Sequence, residues 1–136
     1  MLTVFLRAAS RDYLGKNCNL EHLADSIEEN FVTQGYKTQS AHNNQGWVVQ
    51  ARKAGILREL VAADRSFTVV VTGEPNKFRV SFGIGKWIQN LSVAVLETVL
   101  FDFLLILFVE IPVSLWSYAI ENEFWSFVEK EVEMQV

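Results

Sequence analysis

Cys18 and His22 stand four residues apart, a spacing that on one helix face could hold two metal ligands, with His42 as the source of a third. That spacing recurs by chance, and one cysteine allows neither a disulfide nor a four-cysteine zinc site. Neither a metal nor a cofactor is therefore expected. Cys18 reads as a small packing residue, with a redox-sensitive thiol beside Lys16 as the alternative. Gly83 to Lys86 (GIGK) has the glycines and lysine of a phosphate loop without the GxxxxGK[ST] spacing, and it closes an alternating apolar run. It reads as a glycine-bearing strand end. No carboxylate pair, triad or metal cluster can be assembled, so the expectation is a non-catalytic protein.

The remaining chemistry is charge. Arg52, Lys53, Arg58 and Arg65 form a basic group that is either a solvated face or a patch for anionic lipid or acidic protein. Up to Asn90 there are eleven bases against eight acids, a net of +3, whereas from Leu91 Lys130 alone opposes eight acids, a net of −7. The overall −4 thus hides a basic front and an acidic, apolar back. A nucleic-acid partner is not expected from that balance.

The 136 residues suit one domain, and a composition half apolar, with 10 Phe and 4 Trp, excludes a disordered chain. Leu20, Leu23, Ala24, Ile27, Phe31 and Val32 recur at helical spacing, with Asn19 as N-cap and Gly35 as stop. Met1 to Ala9 reads as a strand or a helical lead-in. After Gly35 the period becomes two. Tyr36, Thr38 and Ser40 form a weak strand, His42 to Gly46 (HNNQG) a turn, and Trp47 to Val49 open a second strand. Phe67, Val69 and Val71 alternate in a third, GEPNK (Gly73 to Lys77) turns the chain, and Phe78, Val80, Phe82 and Ile84 alternate in a fourth. Ala54 to Asp64 could form a short helix with Leu57, Leu60 and Val61 on one side. The expected fold is α+β, an antiparallel four-stranded sheet with a covering helix, and the module spans residues 1–90.

The segments GWVVQARK (Gly46 to Lys53), FTVVVTG (Phe67 to Gly73) and FRVSFGIGKW (Phe78 to Trp87) resemble a family of small prokaryotic, largely archaeal, α+β proteins. The resemblance covers roughly residues 20–90. It implies this fold followed by an apolar C-terminal segment, and it implies no particular activity. Relatives often carry a zinc ribbon, whose ligands this chain lacks, so nothing of the ribbon's role carries over.

Leu91 to Ile120 is almost unbroken hydrophobic sequence, including FLLILFV (Phe103 to Val109). A span needs about 20 residues, so thirty fit one tilted helix or a short re-entrant hairpin broken near Pro112. Glu97, Asp102 and Glu110 are costly in lipid and better tolerated against protein, and Asp102 and Glu110 would share one edge of a helix, about 80° apart. Trp87, Trp116, Tyr118 and Trp125 bracket the run as an interface belt would. The segment therefore reads as membrane-associated, with a buried helical layer of a soluble domain as the alternative. Residues 121–133 then form an amphipathic helix with Phe124, Trp125, Phe127, Val128 and Val132 on its apolar face.

The resulting expectation is an accessory or regulatory protein at the cell membrane, its module on the cytoplasmic side by the positive-inside rule. Its partners would be membrane lipid and a larger integral complex, an archaeal energy-converting assembly being one example. Asp102, Glu110 and the basic group Arg52, Lys53, Arg58 and Arg65 would meet the partner. The alternative function is a soluble domain that binds a lipid or other apolar ligand, or its own copy.

Overall fold

The computed structural model describes residues 5–6, 8–52, 65–89, 91, 108, 111–112 and 118–135. Their elements in chain order are β1 (Phe5–Leu6), β2 (Ala8–Leu14), α1 (Leu20–Thr33), β3 (Lys37–Asn43), β4 (Gly46–Arg52), β5 (Arg65–Glu74), β6 (Lys77–Lys86), β7 (Ile111–Pro112) and α2 (Tyr118–Met134). The main sheet has five strands, ordered β2-β6-β5-β4-β3 and antiparallel throughout. This corrects the expected four. The additional strand is β2, where AASRDYL lacks the apolar alternation of its neighbours because it lies at the sheet edge, where charged residues are tolerated and useful.

Helix α1 forms where the apolar period places it. Asn19 is its N-cap, the side-chain oxygen accepting from His22 N at 3.0 Å, and Gly35 follows its end at φ 91°. Leu20, Leu23, Ala24, Ile27 and Phe31 are buried, while Val32, about 100° from Phe31 around the helix, is half exposed and lies off that stripe. The Asn43 side chain accepts from Gln45 N at 2.8 Å in the β3–β4 turn. This is the short-range bond that favours Asn in turns. Gly15 N donates to Asn76 O at 2.7 Å and Cys18 N to Pro75 O at 3.0 Å, so the chain leading into α1 is tied to the β5–β6 turn.

Both helices lie on one face of the sheet. Val49, Ala51, Phe67, Val69, Val71, Phe78, Val80, Phe82 and Ile84 present that face to a single cluster containing the α1 stripe and Phe124, Trp125, Val128 and Val132 of α2. Each Val, Leu, Ile or Phe among them contributes roughly 1.5–3 kcal/mol by leaving water. Asn19 N donates to Gln135 Oε1 at 2.8 Å, which brings the start of α1 beside the end of α2. The core therefore crosses the boundary placed at residue 90, and residues 1–90 alone lack the wall that α2 supplies.

The second face is buried too, and it is more polar. Gln50, Ser66, Thr68 and Ser81 are each at most 4% exposed. Gln50 has all four bonding positions filled: Nε2 donates to Thr68 Oγ1 (3.0 Å) and Lys86 O (2.8 Å), and Oε1 accepts from Gln39 Nε2 (2.8 Å) and Ile88 N (2.9 Å). The chain leaving β6 is thereby folded back across this face.

The expected apolar membrane-associated helix is also corrected. Among the described residues no helix is long and apolar enough to cross a membrane. Where the segment 91–120 is described before α2, its backbone is extended: Phe108 bridges Gly85, and Ile111 and Pro112 pair with Leu6 and Phe5. Pairing to a sheet edge there is incompatible with one continuous helix through 91–120. The physical reason is that an apolar run reads alike for a helix and for a buried strand until its partners are known. The helix considered over 54–64 lies outside the described residues.

Candidate ligand-binding cavity

Between the C-terminal half of α1, the first turns of α2 and the sheet lies a cavity of about 330 Å³. Its floor is Phe67 of β5 and Phe82 of β6, neighbours on the helix-bearing face with rings 5.6 Å apart. Phe31 forms the α1 side and Phe124, Phe127 and Ile120 the α2 side, with Tyr36 closing the end where the chain leaves α1 for β3. The rings form a continuous aromatic wall. Phe82 stacks on Phe124 at 3.9 Å, Phe31 lies nearly parallel to Phe67 and Phe124 at 6.2 and 6.4 Å, and Tyr36 meets Phe31 edge-on at 5.3 Å. Asn30, Gln34, Glu123, Ser126 and Lys130 supply polar groups. Burial and the charge of Glu123 push the Tyr36 hydroxyl above its ordinary value near 10, so it stays protonated at neutral pH. A volume near 300 Å³, lined by aromatics with a few polar groups, is within the range of small-molecule sites.

The residues singled out for chemistry fall elsewhere. Cys18 precedes α1 and is fully buried, whereas His22 is exposed on the helix, so their four-residue spacing does not bring them to one face. Burial pushes the Cys18 thiol up, away from the reactive thiolate. His42 stacks on Trp47, 6.0 Å between centroids. Among the described residues no three His, Cys, Asp or Glu converge as metal ligands would. GIGK is the end of β6, with Gly83 and Gly85 inside the ladder.

Of the basic group, Arg52 ends β4 opposite Lys37, and Arg65 begins β5 opposite Lys86. The sheet thus sets two basic pairs at one end, Lys37–Arg52 in the register of one face and Arg65–Lys86 one residue out of step, in the register of the other. Arg52 lies over the Trp87 ring, 4.0 Å from its centroid. Lys53, Arg58, Asp102, Glu110 and Trp116 lie outside the described residues, and Tyr118 is the first residue of α2. Trp87 and Trp125 are 5% and 3% exposed, so both indoles are packed inside the domain and not at its outer surface. Trp125 packs edge-on against Phe124, with Arg11 4.7 Å above its ring.

Sequence alone does not mark the cavity's aromatic residues as a site, because each reads as core. Phe67 and Phe82 belong to alternating strands, Phe31 and Phe124 to amphipathic helices, and nothing in either period says that the four rings converge around a space. The class that fold and cavity define is an α+β domain with helices on one sheet face and an aromatic pocket beneath them. No family model, curated protein or solved structure matches the chain. The segments GWVVQAR, FTVVVTG and FRVSFGIGK lie on β4, β5 and β6, which are adjacent in the sheet.

Proposed function

We propose that the protein is a non-catalytic binding module whose ligand is a small, largely apolar molecule held between α1 and α2. The observation that carries this reading is the cavity of about 330 Å³ with Phe31, Tyr36, Phe67, Phe82, Phe124 and Phe127 around it. Aromatic rings offer large contact area with little side-chain entropy to lose, which favours a rigid apolar guest. Titration with 3-phenylpropan-1-ol, followed by NMR of the aromatic side chains, tests it. Saturable shifts at the cavity residues, abolished in Ser126→Trp, are expected, because Ser126 is exposed and its replacement fills the cavity from outside without disturbing the core. Absence of saturable binding, or binding indifferent to Ser126→Trp, overturns the reading.

A second reading, an accessory protein docking on a larger assembly, is favoured by the bases Lys37, Arg52, Arg65 and Lys86 gathered as two pairs at one end of the sheet. Like charges directly opposite on neighbouring strands destabilise a sheet, so these pairs are not a stability device and suit an acidic partner surface. Charge reversal at Lys37 and Lys86 should abolish retention of a host complex on native purification; unchanged retention of that complex removes this reading.

A further inference from the structure

The helices that frame the cavity are unusually one-sided in charge. Over Leu20–Thr33, α1 carries Glu21, Asp25, Glu28 and Glu29 with no Lys or Arg, and over Tyr118–Met134, α2 carries five glutamates against Lys130. Glu129 is held by Arg11 at 2.8 Å and Glu28 accepts from Ser40 at 2.7 Å, but such pairing leaves the layer as a whole strongly negative. Clefts lined by one sign of charge over low-dielectric walls concentrate ions of the opposite sign. Beneath this layer the cavity offers aromatic rings, whose negative faces attract cations. Resting on the reading of the cavity as a ligand site, we propose that its ligand is an organic cation, an alkyl- or arylammonium whose apolar part sits among Phe31, Phe67 and Phe82 and whose charge is placed between Tyr36 and Glu123.

Glu123 is the carboxylate that belongs to the cavity itself, and its field is felt at the Tyr36 hydroxyl. Lys130, the one cationic side chain among the described residues of the lining, stands two turns further along α2, about 10 Å in rise. That is close to the screening length of physiological salt, so Lys130 opposes the cation weakly at the Glu123 end. Asn30 and Gln34 carry no net charge and are compatible with any guest.

Three probes that share a phenyl ring and differ in charge separate this proposal from the reading beneath it: benzyltrimethylammonium, 3-phenylpropan-1-ol and 3-phenylpropanoate. The full chain should bind the cation about tenfold more tightly than the alcohol, and the anion more weakly than either. Glu123→Gln should close the gap between the cation's affinity and the alcohol's. The wild-type preference should shrink as salt is raised from 20 to 500 mM, because Glu123 is exposed. If the alcohol binds and the cation binds no better, or if the preference survives Glu123→Gln, the cavity remains a ligand site and the cation assignment is wrong. Tightest binding of the anion would overturn it likewise and assign selectivity to Lys130. If the alcohol does not bind saturably, the cavity reading itself fails and the cation assignment with it.

Discussion

Tyr13 shows how one hydroxyl can join the sheet edge to a helix. It donates to Glu129 Oε1 at 3.0 Å, Arg11 donates to the same oxygen at 2.8 Å, and the Tyr13 ring stacks on Phe78 at 5.0 Å, so β2 is fastened to both α2 and β6. Burial, and then the bond to Glu129 and its charge, push the phenol above its ordinary value near 10. A raised folded value means that the native state holds the proton more tightly than the unfolded chain does. The associated stability is complete below about pH 10 and is lost as pH rises toward the folded value. Tyr13→Phe should cost about 1 kcal/mol at pH 7 through the lost hydrogen bond and should flatten the decline in stability above pH 10. Cys18 and Tyr36, shifted in the same direction, contribute to the slope that remains. Urea unfolding from pH 7 to 11 measures both effects, and an unaltered alkaline slope would show that the Tyr13 hydroxyl is not differentially protonated. By contrast, the Asp12–Arg79 pair on the same edge is solvent-exposed, so its removal should matter little to stability although it holds the Asp12 carboxyl below its usual range.

At the scale of elements, the β5–β6 hairpin organises the sheet, since its two strands are the longest and stand next to one another near the sheet's centre. Gly73 enters its turn at φ 118°, and a β-carbon there would stand 2.4 Å from Lys77 O and 2.8 Å from Phe78 Cα. Both atoms are backbone and cannot rotate away. Gly73→Ala should therefore destabilise the domain by more than about 1 kcal/mol, through strain at positive φ together with the clash. Gly15, also at positive φ, has open space around the corresponding position, so Gly15→Ala incurs only the conformational part. Parallel thermal melts should place the Gly73 variant clearly below the Gly15 variant; equal melting temperatures would mean that the turn yields.

For the whole molecule, the decisive relation is that sequence-distant α2 seals the core begun by residues 8–86. Phe124, Trp125, Val128 and Val132 are each at most 5% exposed and share one cluster with α1 and the sheet. A chain ending at residue 117 should lose its near-ultraviolet circular dichroism, bind a hydrophobic dye and run as aggregates on gel filtration, because the aromatic wall formed by Phe31, Phe67 and Phe82 would face water. A monomeric truncation with native-like near-ultraviolet signal would show that the helix is dispensable to the core.

The amino-acid sequence by itself determined what depends on local periodicity. The stripe from Leu20 to Phe31 with its Asn19 cap specifies α1, the alternation through Phe67–Val71 and Phe78–Ile84 specifies β5 and β6, and Phe124 to Val132 specifies the apolar face of α2. Tertiary structure decided what depends on partners. Gln50 sits where a strand facing water would carry a polar residue, yet it is buried, because four bonding groups from three other stretches of chain converge on its amide. The polar strand β2 gains its place from the β6 edge that it completes. Phe108, Ile111 and Pro112 are extended because Gly85 and Phe5–Leu6 offer them backbone partners, something hydrophobicity alone does not encode. The cavity belongs to the same class: its rings are ordinary core residues one at a time, and the space among them exists only because two antiparallel helices with large side chains meet over a twisted sheet without filling every gap.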